Sequence, residues 1–194
     1  MKKFIYFLLT LSFFSANAQK GYSIKYDRTL LGYDNPLFQM RYVYNDSFSF
    51  CYYKKFSDND KLKRTNVFSK KLIHHALFTD KKSMICYNEV NYDGRKGYFV
   101  NIFTILEWKP YAGAKKILGY DCKGALNVSS NNDSTLVWYN DSLGNGIGLM
   151  TLNFSLGTPL EIFDQKNDIH FIATKIDKGD YEFNLPKGEI LKRE

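Results

Sequence analysis

Alternation of apolar and polar residues with a period of two, in nine or ten short runs, predicts a mainly β protein. The expected architecture is a large curved antiparallel sheet or half-barrel with one short amphipathic helix. Two more observations support it. Aromatic residues make up 17% of the chain, enough to fill a concave face with bulky side chains. One segment alone, near residues 68 to 77, has helical spacing, and a helix there would close the half-barrel. A sheet of that many strands curls or closes on itself.

The strands follow in order. Tyr22, Ile24 and Tyr26 alternate with Ser23, Lys25 and Asp27. Phe38, Met40, Tyr42 and Tyr44 form a second set. Asn45-Asp46 then offers a turn before Phe48, Phe50 and Tyr52, which predicts a hairpin with aromatics along one face. Phe68, Leu72, Ile73, Ala76 and Leu77 have helical spacing over about three turns. An irregular strand is the alternative, since His74 to Phe78 includes β-compatible residues. Met84 to Val90 reads as a strand, with Asp93-Gly94 a strong turn signal. Val100, Ile102, Thr104, Leu106 and Trp108 alternate up to Pro110. Leu118 to Leu126, Thr135 to Tyr139, Met150 to Leu156, Ile169 to Ile176 and Tyr181 to Leu185 complete the series. Residues 140 to 146 read as a turn-rich loop.

The N-terminus has the pattern of a secretory signal peptide. Lys2 and Lys3 precede an apolar run from Phe4 to Phe14, and Ala16-Asn17-Ala18 fits the small-residue cleavage pattern. Cleavage is expected between Ala18 and Gln19. The run is shorter than the roughly 20 residues a spanning helix needs. The expected organisation is a signal over residues 1–18 and one β-rich domain over residues 19–194, exported to the periplasm or beyond and not membrane-spanning.

Net charge is +7. Losing Lys2 and Lys3 leaves 25 basic against 20 acidic residues, a net +5. The basic residues are scattered, as on a solvated surface, and an exported protein meets no nucleic acid. Cys51, Cys86 and Cys122 make an odd count, so one thiol at least has no partner within the chain. Strand phase puts Cys122 beside Leu118, Tyr120 and Gly124, with Asp121, Lys123 and Ala125 on the other face. There Cys122 serves as a small buried hydrophobe, or bridges to Cys86, which shares a face with Met84.

Trp108-Lys109, then Lys115-Lys116-Ile117-Leu118-Gly119-Tyr120-Asp121-Cys122-Lys123-Gly124-Ala125, then Val137-Trp138-Tyr139, closely resemble the GLPGLI family of exported bacterial proteins. Members typically carry a Trp, a K-I-x-G-Y-x-C-x-x-A stretch and a W-Y pair. The family-block residues here are Trp108, Gly119, Tyr120, Cys122, Ala125, Trp138 and Tyr139. The layout agrees over roughly residues 20 to 185, but the specific likeness is confined to 108 to 139. The name-giving motif is degenerate: residues 146 to 162 keep a Gly, a Pro and an apolar tail, not the motif itself. The resemblance implies an exported protein and no particular reaction.

The sequence offers little for catalysis. His74, His75 and His170 are the only histidines. No zinc-ligand spacing, calcium loop or phosphate loop is complete, so no metal or cofactor is expected. A Cys122–His170 dyad is the one enzymatic arrangement to test, against His170 as an ordinary sheet histidine. The leading expectation is a non-enzymatic exported protein binding an apolar or peptidic ligand, or another envelope protein. The aromatics fit a ligand-lined surface or a packed core alike. An interaction module pairing through an edge strand is a third reading.

Overall fold

The computed structural model describes residues 18–30, 38–55, 76–92, 95–150, 152–184 and 188–191. Twelve strands form one sheet: β1 (Ala18–Leu30), β2 (Phe38–Tyr44), β3 (Phe48–Lys55), β4 (Ala76–Asp80), β5 (Ile85–Tyr92), β6 (Arg95–Ile102), β7 (Lys109–Ile117), β8 (Tyr120–Val128), β9 (Ser134–Asn140), β10 (Thr158–Asp164), β11 (Ile169–Glu182) and β12 (Glu189–Ile190). Their order is β12-β6-β5-β4-β3-β2-β1-β11-β10-β9-β8-β7. Pairing is antiparallel throughout, except that β12 runs parallel to β6.

The sheet is rolled. β6 and β7 follow each other in the chain but stand second and last in the sheet. Flat, ten strand spacings would part them by about 48 Å. The chain from Ile102 to Lys109 reaches at most about 25 Å. The two ends therefore come towards each other, yet no register joins β7 to β6 or β12, and the sheet stays open.

The mainly β class holds, with local corrections. Residues 68–75 of the expected helix lie outside the described residues. Ala76 and Leu77, its last two apolar positions, begin strand β4. The helical turn that is described, Asp141–Leu143, is a single 3-10 turn capped by Asn140. No helix among the described residues is long and apolar enough to cross a membrane. The β2–β3 hairpin forms, but Tyr42 pairs with Cys51 and Tyr44 with Ser49. Even positions of β2 face odd positions of β3, so Phe48, Phe50 and Tyr52 lie on the opposite face from Tyr42 and Tyr44. The loop's residue count, which sequence periodicity does not reveal, sets that parity.

The strand expected to reach Trp108 stops at Ile102. Strand β8 starts two residues late because Leu118 and Gly119 form the hairpin turn, at φ 50° and 87°. Both central residues of this turn type need positive φ, which glycine adopts freely. Ala125, expected to face solvent, is fully buried opposite Val137. Cys122 is buried too, on the other face, opposite Lys115.

Among the described residues of Met150 to Leu156, no strand forms. Met150 and Asn153 have φ of 53° and 46°, left-handed values that break extended chain. Instead, residues 141–157 lie over the inner face of β1, β2 and β3. Leu143, Ile147, Leu149, Leu152 and Phe154 are all buried. The tyrosines of the sheet hold this segment. Tyr42 and Tyr44 stack at 4.6 Å. Tyr44 donates to the Leu143 carbonyl at 2.8 Å, Tyr42 to Ile147 at 2.7 Å and Tyr26 to Pro159 at 2.6 Å. A buried tyrosine needs such a partner for its hydroxyl. Burial pushes the phenols of Tyr26, Tyr42 and Tyr44 well above their ordinary value. The inner aromatics are thus core over most of the concave surface, and the covering element is the chain's own 141–157 segment.

Candidate functional site

The inner face is not filled everywhere. Where β3, β4 and β5 approach the β10–β11 turn, a cleft of about 400 Å³ remains. Register explains its floor. Arg28 on β1 pairs with Phe38 on β2 and with Phe171 on β11, so the three side chains share one row. Tyr53 from β3 and Leu77 from β4 form one wall, and Ile169 lies beside Phe171. Met150, displaced from any strand by its left-handed backbone, reaches the cleft from the covering segment. The polar lining is Arg28, Asn88, Asp164 and Asn167. The Arg28 guanidinium lies 4.7 Å from the Phe38 ring centroid and 5.9 Å from that of Phe171. Its Nε is buried and has no hydrogen-bond partner. Burial also drives the Tyr53 phenol well above its ordinary value, aided by the neighbouring Cys51 and opposed by Arg28.

A second recess of about 440 Å³ lies at the opposite end of β1 and β2. Lys20, Lys178, Asp46 and Asp141 are among its lining residues, which gives it a polar character. Lys81 stands near it with only 7% of its surface exposed. Its Nζ donates to the carbonyls of Asn45 (2.8 Å) and Asn145 (3.2 Å) and lies 4.9 Å above the Tyr44 ring. Burial lowers its pKa to about 7, against the opposing pull of Asp46.

A third cluster sits on the outer face. A bulge between Pro159 and Glu161 turns Glu161 outward beneath Lys115 and His170. Glu161 is 2% exposed, ion-paired with Lys115 and 3.0 Å from His170 Nε2. His170 stacks flat on Phe163 at 4.3 Å. Burial works against the Glu161 charge, but the hydrogen bonds from His170 and Lys115, with the Lys115 charge, outweigh it and hold the carboxyl below its usual range.

No hydrogen bond joins Cys122 to His170, the alternative enzymatic pair, among the described residues. His170 makes its hydrogen bond to Glu161, and the Cys122 thiol donates to the Tyr120 carbonyl at 3.5 Å. Burial raises the Cys122 pKa, with Glu161 and Asp121 adding to it, which disfavours the nucleophilic thiolate. Nor do Cys86 and Cys122 bridge. All three cysteines are free, and seven strands separate β5 from β8 in the sheet. Phase assigned them compatible faces; it carries no information on strand order.

Ala18 and Gln19, the expected cleavage pair, are the first residues of β1, opposite Glu182 and Tyr181. The Gln19 side chain accepts from Asn45 Nδ2 at 2.6 Å. Two residues of the Trp108–Tyr139 block act as clamps. Trp108 meets Phe154 edge-on at 4.7 Å, and Tyr139 tilts onto the same ring at 5.0 Å. Trp138 pairs with Gly124 on the outer face and meets Tyr111 at 6.0 Å. Trp108 and Tyr139 thus pin the covering segment at Phe154. Edge strand β7 is exposed along almost its whole length, but Pro110, a bulge before Ala114 and three lysines mark it as an edge protected against pairing. Among the described residues, no group of three or more His, Cys, Asp or Glu could hold a metal ion.

The residue sequence reasoning missed is Arg28. It stood as one of 27 basic residues, and only its place in the alternation of Tyr22, Ile24 and Tyr26 hinted that it faces inward.

No protein-family model and no curated protein matches the sequence. Two structures of PNGF-II, in space groups C2 and P21, are similar in fold. Their TM-scores are 0.57 and 0.59 at 20% and 21% identity, and each match covers 82% of this chain and 28% of the PNGF-II chain. The chain thus spans less than a third of the length of these neighbours, and at that identity the likeness is one of fold alone.

Proposed function

We propose that this chain is an exported, non-enzymatic binding protein of the GLPGLI type that holds a small, largely apolar ligand in the Arg28 cleft. The carrying observation is the cleft itself. The 141–157 segment covers the middle of the inner face, while Tyr53, Leu77, Met150, Ile169 and Phe171 are left lining about 400 Å³ of space. Pockets with apolar walls and a few placed polar groups are the usual form of small-molecule sites. The signal-like N-terminus and the block from Trp108 to Tyr139 support export and family.

The test is uptake of the neutral fluorophore N-phenyl-1-naphthylamine. Wild type gives a saturable rise in fluorescence, and Leu77→Trp, which fills the cleft, abolishes it with the β circular dichroism unchanged. Equal uptake by both proteins, or none by wild type, overturns the reading. Export is checked separately: the periplasmic product begins at Gln19 on N-terminal sequencing.

A further inference from the structure

Resting on that cleft, we infer that its ligand is a monocarboxylate with a short apolar body, the carboxylate seated on the Arg28 guanidinium. The two phenylalanine rings beside Arg28 fix the guanidinium by their π-faces and take none of its N–H groups. Its buried Nε is left without an acceptor. Such a donor is costly to leave unmade. A carboxylate supplies two parallel acceptors to the planar fork of an arginine, a geometry a hydroxyl or amide oxygen does not match.

Asp164, also in the lining, does not serve this role. It accepts from the Asn167 backbone N–H (3.3 Å) and side-chain amide (2.7 Å), and it makes no ion pair with Arg28 among the described residues. Its charge opposes a second anionic group, so the ligand carries one negative charge. Leu77, Met150 and Ile169 receive the apolar body. The volume lies near the lower end of the usual range of about 300–1,000 Å³, which keeps that body short.

Calorimetric titration with octanoate, 1-octanol and octanedioate, all below micellar concentration, tests this. Octanoate binds wild type about tenfold or more tighter than 1-octanol, as expected of a hydrogen-bonded charge. Octanedioate binds more weakly than octanoate. Arg28→Gln brings octanoate to the level of 1-octanol and leaves 1-octanol unchanged. Equal affinity of octanoate and 1-octanol for wild type overturns the inference, as does tight octanoate binding by Arg28→Gln or octanedioate binding as well as octanoate. Should Arg28→Gln not fold, carbon-13 NMR of carboxyl-labelled octanoate on wild type decides. A bound carboxyl pKa below the free value supports the arginine seat, and an unshifted or raised one overturns it. If 1-octanol binds but octanoate gains nothing, the anchor is wrong and the cleft stands. If neither binds and the neutral fluorophore is not taken up, the cleft reading fails with it.

Discussion

Gly148 rests its backbone against Thr79: a β-carbon there would lie 2.6 Å from Thr79 Oγ1 and 2.7 Å from its Cβ, and would meet Ser49 Oγ as well. Gly148 also has φ 83°. Space and conformation both demand glycine at the point where the covering segment touches β3 and β4. Gly148→Ala is expected to cost about 2–4 kcal/mol, combining overpacking with left-handed strain. Urea denaturation measures it. A loss under about 0.5 kcal/mol, the usual spread for surface sites, would mean that the segment does not sit this tightly.

Lys81 links stability to pH. Unfolded, a lysine holds its proton to about pH 10.4. Folded, it releases the proton near pH 7. Between those values the unfolded chain binds more protons, so stability rises with pH. Below about pH 7 both states are protonated and the slope vanishes. Denaturation midpoints at pH 7 and pH 8 should rise for wild type and not for Lys81→Met. The window must stop near pH 8, because the thiols, which titrate at about 8.5 when unfolded, and higher up the buried tyrosines keep their protons longer in the folded state and pull the other way.

Two of the lysine–carboxylate pairs made by β7 and β8 should behave differently. Lys123 and Asp141 lie 2.6 Å apart with side chains 67% and 55% exposed, and Lys123→Ala should leave the melting temperature unchanged. Lys115 covers Glu161, whose side chain is 3% exposed. Lys115→Ala leaves that carboxylate to His170 alone and should cost about 1–2 kcal/mol, reduced from the fully buried case because Lys115 itself is partly exposed. The folded Glu161 pKa is depressed, so its contribution is present above the unfolded value of about 4.3 and is lost as pH falls below it. The gap between wild type and Lys115→Ala should therefore narrow on acidification. Equal effects of the two substitutions would count against this ranking.

Thiol titration checks the cysteines. Three thiols should react with Ellman's reagent in guanidinium without reductant. In the native protein Cys51 should react last, since it is fully buried and burial raises its pKa to about 12, against the hydrogen bonds from the Met150 backbone and Tyr53. Cys86 is the most accessible of the three and should react first. A single reactive thiol after denaturation would reveal a disulfide.

Legibility in the sequence depended on how many faces a strand buries. β1 and β2 bury chiefly one face, with Ser23 and Val43 the buried exceptions on the other, and their alternation was plain. β10 buries both: Thr158 to Ile162 are all buried, leaving no alternation, and Pro159 near its start argued against a strand. β7 buries almost nothing and has no apolar pattern to read. The cleft was harder still. It depends on Phe38, Arg28 and Phe171 coming into register, with Arg28 and Phe171 143 positions apart along the chain, a relation that periodicity does not encode. The block around Cys122 was visible as a motif. Its partner Phe154, which meets Trp108 and Tyr139, sits in a segment that the alternation reads as a strand and that instead crosses the sheet as irregular chain.

The strand order has a consequence for how the chain is wired. β1 to β6 are laid down in sequence on one side, and β7 to β11 on the other. Within the sheet the halves pair where the first strand meets the eleventh, Ala18 opposite Glu182, and where β12 runs beside β6. Joining residue 182 to residue 18 by a short linker, without β12, and opening the chain between 102 and 109 would yield one uninterrupted up-and-down meander. Every neighbouring pair from β7 round to β6 would then be local in sequence. In the natural connectivity the central pairing must instead wait for β11, and such long-range closure is the slow step of β folding. The permuted chain should fold faster around the same Arg28 cleft.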